Sequence, residues 1–539
     1  MTVAVQDINS ASKVLDLLKI FSCHSGLNVN KTKTEGMWMG KDKNNNEQPF
    51  GIKWPKTLIK VLGIYHSYNK EAAISKNFDD KIESLLKMLH WWKARNLSLT
   101  GKILIVKALG LSKFSLLSSL VSVPQAVVSK INTAIYNFIW NGKTDKVKRT
   151  LLEQEYEDGG LKMLDFGTMV KGAKVKWIKR YLSCEDMTWK VMFEKFCCKV
   201  NLNVFLRSNF DINELPETIP RYYAESIGYW HELKIKNVEE FEPFLWYNKN
   251  IKIGNKSIYS SRLFAMGIWK VSDLYHENKL IKFETLLARG ALQGDYIIWR
   301  GIITATSNYT RHINNENIKI DLGLFQCGIS KRILRLDEAT EKQIKSGIKY
   351  KALKNMKTKD FKARIKFDDI HGEIDLKTWA SIYALPWSLN VDNFTRDLQY
   401  KILYRFIPTN KLLYKMNKIH SNFCSLCNLQ IDTIEHALWN CLNIRNFWHA
   451  TFDLWNATCH STFQPNLQNI TFGVVNEDLP SVNTLILHGK TFIQKAKQFS
   501  IDLSTNNFID HLKRVIFKMD PCTENIIHFI NTLYPDFTV

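Results

Sequence analysis

Residues 91–114 read WWKARNLSLTGKILIVKALGLSKF, a stretch in which apolar runs alternate with single cations. The part that follows Leu99-Thr100-Gly101 has the period of a helix that begins there. A helix opened by Asn77 precedes it, and its apolar face consists of Ile82, Leu85, Leu86 and Leu89. A third helix begins at Pro124 and ends before Gly142, because proline favours helix starts and glycine favours helix ends. The sequence therefore predicts a helical bundle over residues 76–180.

This bundle is strongly basic. Residues 81–149 hold twelve Lys and Arg against two acids, Glu83 and Asp145, and residues 171–180 add five cations. The whole chain has a net charge of +22. Such an excess suits a polyanionic partner, since each Lys or Arg that neutralises a phosphate releases a counterion. The alternative is a basic protein with no such partner, and the position of the charge decides between the two.

Length, composition and cysteine usage narrow the class of protein. The 539 residues suffice for several domains, and 45% hydrophobic residues can bury a real core. Most of the ten cysteines are scattered, and no secretory signal follows Met1. The longest apolar region, residues 97–128, is broken by three lysines. We therefore expect no membrane span and an intracellular, thiol-reduced protein of the nucleus or cytoplasm.

The segments on either side of the bundle have less regular patterns. Residues 1–66 predict a helix that Gly26 ends, followed by the short extended segments LNVN, EGMWMG and LIKVLGIYHS. Residues 181–340 are rich in aromatic residues and predict a folded, mostly helical region. Residues 342–366 hold ten Lys and Arg against one acid, which indicates either a solvated linker or a phosphate-binding run. A helical stretch at 388–420 and a helical tail flank the motif described next.

That motif is a Cys/His cluster, and it consists of Cys424, Cys427, His436 and Cys441. Three thiolates and one imidazole are the four protein ligands of a closed structural zinc site, with no open position for a catalytic water. Asp432 and Thr433 are placed to cap a short helix that carries the histidine. His449, Cys459 and His460 are competing ligands at poorer spacing, and unconnected cysteines in a reduced protein are the alternative. The pattern favours structural Zn²⁺.

Five motifs in one order carry a resemblance to a known family. They are SGLNVNKTKTEGMWMG (25–40), VLGIYHS (61–67), residues 91–114, FIWNGKTDKVKRTLLEQEYEDGGLKMLDF (138–166) and the Cys/His cluster. In this order they resemble the end of the palm, the primer grip, the thumb and the C-terminal zinc motif of LINE-type (non-LTR) retrotransposon reverse transcriptases. The resemblance is clear over residues 1–180 and 396–448 and weak between them.

The resemblance implies a mainly α fold with a small β remnant. Its expected divisions are the end of the palm with the primer grip (1–75), a helical thumb (76–180), a helical connector that includes the basic run (181–395), the zinc-binding module (396–455) and a helical C-terminal tail (456–539). The strands of the first division should have open edges, because their partner strands belong to parts of the palm that the resemblance does not reach.

In this family the thumb holds the primer–template duplex, so the resemblance implies RNA, DNA or both as partners and no small-molecule substrate. The expected contacts to the nucleic-acid backbone are Lys102, Lys107, Lys113, Lys143, Lys146, Lys148 and Arg149. Lys102 and Lys107 have the alternative of only solubilising their helix. The tryptophans Trp91 and Trp92 are predicted to lie in the core and not to stack on bases.

Catalysis is not expected of this chain alone. The family's polymerase holds two Mg²⁺ ions on palm carboxylates, one set in an aromatic-Ala-Asp-Asp turn that would lie just before the first residues here. Phe78-Asp79-Asp80 and Phe367-Asp368-Asp369 lack the flanking apolar strands of such a turn. Mg²⁺ is thus expected only for a complete polymerase. Three interpretations stay open: a fragment that binds without catalysis, a host-adopted binding protein, or a short gene model of an active enzyme.

Overall fold

The computed structural model describes residues 2–183, 187–197, 200–235, 242–312, 322–328, 330, 332–354, 362–515 and 521–533. Helices dominate these residues, and the sheets that they form are two-stranded antiparallel hairpins. The predicted fold class, mainly α with a small β component, is confirmed.

The N-terminal segment contains helix α1 (Ile8–Ser25) and a hairpin of β1 (Ile59–Val61) and β2 (Ile64–His66). Gly26 caps α1 in the left-handed conformation, with φ of 72°, as predicted. The extended segments LNVN and EGMWMG do not form strands, and Glu35 makes only an isolated bridge to Lys53. No residue of α1 is buried. Helix α1 therefore adds no buried residue to a core of the described chain.

The bundle follows as predicted. Its elements are α2 (Lys70–Lys93), α3 (Leu99–Ile105), a π-helical turn (Val106–Gly110), a 3-10 turn (Leu111–Phe114), α4 (Ser115–Leu120), α5 (Gln125–Ile139), α6 (Arg149–Leu152) and α7 (Phe166–Ser183). Helix α2 begins at Lys70 and not at Asn77, because Asn69 accepts the N–H of Ala72 at 2.9 Å. Asn77 is instead buried and pairs with the backbone of Tyr65 in β2.

One stretch of this bundle, Leu99–Leu120, is the candidate membrane span among the described residues, judged by length and composition alone. Buried residues make up 39% of its most apolar part, and a core helix of a soluble protein passes the same test. Here Val106, Leu111 and Phe114 belong to the core of the bundle. We predicted that no run in this region is long and apolar enough to span a membrane, and by length and composition this stretch is such a run. In the fold, one face of the stretch packs inside the bundle.

The connector was predicted to be mostly helical, and the structure adds short β-hairpins between its helices. Its helices are α8 (Thr188–Phe196), α9 (Leu202–Arg207), α10 (Arg221–Leu233), α11 (Ser261–Ala265), α12 (Phe283–Ala288), α13 (Asp295–Thr306), α14 (Glu341–Lys354), α15 (Lys362–His371) and α16 (Leu376–Ser388). Three hairpins interrupt them: β3 (Lys252–Ile253) with β4 (Lys256–Ser257), β5 (Tyr275–His276) with β6 (Lys279–Leu280), and β7 (Leu324–Gln326) with β8 (Ile333–Arg335). Their strands have two or three residues, too few to show an alternating pattern.

The C-terminal helices are α17 (Asn393–Leu403), α18 (Asn410–Lys415), α19 (Leu442–Cys459), α20 (Leu467–Phe472), α21 (Pro480–Phe499), α22 (Thr505–Val515) and α23 (Pro521–Leu533). All of them except α18 contribute to one core, in which Phe447, Trp448 and Phe508 are buried. Helix α19 crosses the expected boundary at 455–456, and the division of the chain into domains stays a prediction.

Candidate metal centre and basic surface

The first two cysteines of the Cys/His cluster lie on a tight turn. The Cys424 N–H donates to Gln430 O at 2.8 Å, and the Asn428 N–H donates to Cys424 O at 2.8 Å. Asn428 has a φ of 52°, which asparagine tolerates better than most residues. An isolated bridge between Phe423 and Ile431 closes the turn. The chain reversal brings both thiols to one side, as the Cys-x2-Cys spacing predicts.

The other two ligands follow on a short helical segment. The Thr433 hydroxyl accepts the N–H of His436 at 3.1 Å, so the predicted cap is present. His436–Asn440 form a π-helical turn, and Cys441 stands immediately before α19. Asp432 does not cap this turn: its buried carboxylate accepts from the Asn410 N–H and pairs with Lys497 at 2.5 Å. This ion pair ties the cluster to α21.

The four donor atoms converge. The Sγ atoms of Cys424, Cys427 and Cys441 and a ring nitrogen of His436 all lie within 4.8 Å of one another. The Cys427 Sγ is 3.4 Å from the His436 Nε2. Ligand atoms of a tetrahedral zinc site are separated by about 3.8 Å, given Zn–S bonds of about 2.3 Å. The cluster therefore fits a metal ion such as zinc, and all four residues predicted from spacing belong to it.

The surroundings of Cys424 favour its thiolate, with Cys441 as the thiol that keeps its proton and donates to it. A hydrogen bond from the Cys441 thiol lowers the pKa of Cys424, and the charge of Lys497 acts in the same direction. Cys424, His436 and Cys441 are buried, and Cys427 is half-buried. The thiolate is the form of cysteine that binds metal. The competing residue Cys459 lies elsewhere, with its Sγ 3.7 Å from Asn525 O.

Most of the predicted nucleic-acid contacts lie on an exposed loop between α5 and α6. The side chains of Lys143, Lys146, Lys148 and Arg149 are exposed there. Arg149 donates to the Asp145 carboxylate at 2.7 Å, and its guanidinium lies 4.3 Å from the centre of the Tyr136 ring. These two contacts hold Arg149 in place. The loop and the first residue of α6 thus present four exposed cations, and these two contacts hold one of them, Arg149.

The three lysines on the α3–α4 stretch have different surroundings. Lys102 is buried, and its ammonium donates to Ile139 O at 3.3 Å and to Asn141 Oδ1 at 2.7 Å. This corrects its assignment as a backbone contact, because a cation enclosed by protein oxygens does not reach a phosphate. Lys107 is exposed and donates to Lys162 O, and Lys113 is half-buried and donates to Ser84 Oγ. The difference in burial among the three lysines could not be predicted from the sequence, since all three interrupt similar apolar runs.

Two further predictions of the sequence are resolved by burial and by secondary structure. Trp92 packs against the core of the bundle, whereas Trp91 is 77% exposed, so the prediction of burial is wrong for Trp91. The pair Asp79-Asp80 lies within α2, and Asp368-Asp369 lies within α15. Neither pair therefore stands in a strand hairpin of the kind that holds catalytic metal ions.

No protein-family model matches the chain. The chain is similar to the Transposon TX1 uncharacterized 149 kDa protein of Xenopus laevis, with 26% identity over 242 residues. The match covers 43% of this chain and 18% of that protein, so the chain spans less than a fifth of its relative's length. A similarity to a transposon protein agrees with the retrotransposon resemblance of the motifs. It supports a LINE-like, retrotransposon-derived protein.

Proposed function

We propose that this chain is a nucleic-acid-binding portion of a LINE-type reverse transcriptase, working in the nucleus or cytoplasm. In this proposal the bundle is the thumb, and it holds the phosphate backbone of an RNA or DNA duplex. The exposed cations of the 143–149 loop are the observation that carries the proposal. The transposon relative supplies the biological setting and not the activity.

The loop is suited to contact the phosphate backbone of a nucleic acid and not to read its base sequence. The loop is supported on both sides, because Tyr136 and Asp145 hold Arg149 and the Lys102 ammonium donates to Asn141 just before the loop. Lys and Arg contacts to phosphates position a duplex without reading its sequence. We therefore expect affinity with little dependence on sequence and strong dependence on salt.

The Cys/His cluster has a structural role in this proposal. Zinc would be held by Cys424, Cys427, His436 and Cys441. With four protein ligands, no coordination position is left for a water molecule to be activated. The bound metal would fix the turn of Cys424 against α19, and it would leave the cations of α18, Lys411 and Lys415, in a defined place.

Nucleotidyl transfer is not assigned to the described residues. Both paired aspartates considered from the sequence lie on helices, Asp79-Asp80 on α2 and Asp368-Asp369 on α15. Two-metal transfer needs carboxylates that hold both ions about 4 Å apart beside a primer end. We propose binding without polymerisation by this part of the chain, with Mg²⁺ chemistry reserved for a complete polymerase.

The test is the salt dependence of binding to a labelled RNA–DNA duplex of random sequence. The triple variant K146E/K148E/R149E should bind at least tenfold more weakly at about 150 mM salt. The slope of log K against log salt is negative, and in the variant it should be less negative by about 2.7, or 0.9 per lost contact. The control K256E/K279E/K282E carries the same charge change on exposed connector residues. Equal losses in both variants, or a wild-type affinity that salt does not change, would refute the proposal.

A further inference from the structure

Two acids between the second and third ligands of the Cys/His cluster form ion pairs, and neither acid belongs to the cluster itself. The Asp432 carboxylate pairs with the Lys497 ammonium of α21 at 2.5 Å. The Glu435 carboxylate, which precedes the ligand His436, pairs with the Arg405 guanidinium at 2.6 Å. Asp432 is buried, and its partner and both members of the second pair are half-buried. Ion pairs enclosed to this degree are screened less by solvent than pairs on the surface.

Asp432 joins three segments around the first two thiols. Its N–H donates to Asn422 O at 2.9 Å, which pairs the two arms of the turn beside Cys424. One carboxylate oxygen accepts the N–H of Asn410, the first residue of α18, at 2.9 Å. The other carboxylate oxygen accepts from the Lys497 ammonium. The carboxylate therefore fixes the base of the Cys-x2-Cys turn against both α18 and α21.

Arg405 connects the third ligand to a different part of the fold. It follows α17 and has a φ of 58°, in the left-handed region that most residues other than glycine adopt rarely. A backbone in this conformation persists where surrounding contacts hold it. The guanidinium lies 4.8 Å from the centre of the Phe367 ring of α15, and it also pairs with Glu435. This ion pair therefore links the turn that begins with His436 to α15 and to the end of α17.

A cation near a metal centre acts either through its charge or through the groups that it holds in place. Zn²⁺ with three thiolates and a neutral imidazole carries an excess negative charge, so an unbalanced cation would stabilise it. Lys497 is not such a cation, because Asp432 balances its charge at 2.5 Å. Glu435 balances Arg405 in the same way at 2.6 Å. Because both pairs are neutral as units, their geometry favours a role in positioning the ligands.

We propose that Asp432, Lys497, Glu435 and Arg405 are positioning residues of the metal centre, which raise its affinity for Zn²⁺ without touching the ion. The first pair holds the base of the turn that carries two thiols, and the second pair holds the turn that begins with His436. The metal ion then has less chain to order when it binds, and such preorganisation increases affinity. Outer partners of metal ligands change metal affinity by about 10- to 100-fold. The inference rests on the metal centre of the proposed function and names the contacts that determine its affinity.

The first experiment measures the affinity of the full chain for Zn²⁺ by competition with a chromophoric chelator. Lys497→Met and Arg405→Met should each weaken binding by about tenfold or more, because each removes the cation of one pair. Lys497→Arg keeps the cation and should restore most of the affinity. Lys495→Met changes an exposed lysine of the same helix and should bind as the wild type does. If Lys497→Met and Arg405→Met also bind as the wild type does, this inference fails and the metal centre stands. A wild type that binds no zinc removes both.

The second experiment separates positioning from charge and from folding. Asp432→Asn leaves Lys497 charged, and it should weaken zinc binding as Lys497→Met does, because either change breaks the pair. The double variant D432N/K497M should bind no more weakly than the single variants, since contacting residues that act as a unit are not additive. It leaves no unpaired buried charge, so it decides the matter if Lys497→Met does not fold. Tighter binding by Asp432→Asn, or wild-type affinity in the double variant, would overturn the inference.

The absorption spectrum of the Co²⁺-loaded protein gives a readout that a general loss of stability would not reproduce. At saturating Co²⁺ the spectra of Asp432→Asn and D432N/K497M should match that of the wild type, because the four ligands are unchanged. Only the concentration of Co²⁺ needed for saturation should rise. A different spectrum at saturation, or binding of less than one ion per chain, would show that these residues maintain the fold or the ligand set, and the positioning role would be refuted.

Discussion

The helical bundle and the Cys/His segment, which is the stretch from Cys424 to Cys441, are stabilised in opposite ways. The bundle buries large apolar side chains such as Phe114 and Phe166 and keeps most of its cations outside. The segment that carries the first thiols leaves Phe423 and Leu429 exposed at 47% and 79%, and what it buries are the ligand atoms. A core of apolar contacts holds its shape without a ligand, whereas we expect this segment to hold its shape only when a metal ion binds the cluster.

Removal of a metal ligand has the largest expected effect, and it should change the Cys/His segment while the bundle stays as it is. Cys441→Ser should reduce the bound zinc from about one ion per purified chain to none, because a tetrahedral site needs its fourth ligand. The segment around Cys424 should then become a site of rapid proteolysis, while the melting of the bundle is unchanged. Metal analysis by mass spectrometry and mapping of the cleavage sites measure the two effects.

Cys459→Ser is the matched control, since Cys459 is half-buried and lies outside the cluster. It should keep its zinc and its resistance to proteolysis. An unchanged zinc content in Cys441→Ser would rule out the metal centre. Proteolysis that spreads through α2 and α5 would show that the bundle depends on the metal after all.

The second expected effect is a pH dependence of stability, and it arises from a buried carboxyl group in the bundle and not from the Cys/His segment. Glu153 accepts a hydrogen bond from the Tyr136 hydroxyl at 3.0 Å. Burial raises its pKa to about 7 from 4.5, and the charge of Asp165 adds to the rise. Between pH 4.5 and pH 7 the folded state keeps a proton that the unfolded state has released. Stability therefore falls as pH rises through this window, by up to about 3 kcal/mol above pH 7.

Glu153→Gln should remove this loss, because the amide stays neutral and can still accept from Tyr136. Thermal unfolding at pH 5 and pH 8 should show a smaller fall in Tm for the variant than for the wild type. The metal site is common to both proteins, so its own pH dependence cancels in the comparison. Glu83→Gln, on the exposed face of α2, should behave as the wild type. Equal falls in Tm for Glu153→Gln and the wild type would contradict the prediction.

The sequence predicted features that rest on local periodicity or fixed spacing. Helices α3 and α5 follow from apolar residues at helical intervals, and the cluster at Cys424 follows from ligand spacing. Features that depend on contacts distant in sequence were missed. Nothing near Lys102 indicates that Asn141 will enclose its ammonium, and nothing near Asp397 indicates that it caps α3.

The two-residue strands of the connector were missed for another reason. A strand of two residues, such as Lys252–Ile253, has no period to detect, and its turn chemistry is the only local signal. That no residue of α1 is buried was not predicted. An amphipathic pattern predicts a helix equally well whether or not another surface covers its apolar face.

The smallest expected effect separates the two neighbouring tryptophans at the end of α2. Trp92 packs against the bundle core, and the guanidinium of Arg95 lies 4.7 Å from its ring centre, so Trp92→Ala should cost about 2 kcal/mol of stability. Trp91 is 77% exposed, and Trp91→Ala should change stability by less than about 0.5 kcal/mol. Chemical denaturation measures both. A large loss for Trp91→Ala would mean that a surface left open in this structure is covered in the protein. A weaker affinity for single-stranded RNA at unchanged stability would instead indicate that Trp91 contacts the nucleic acid, because an exposed indole can stack on an unpaired base.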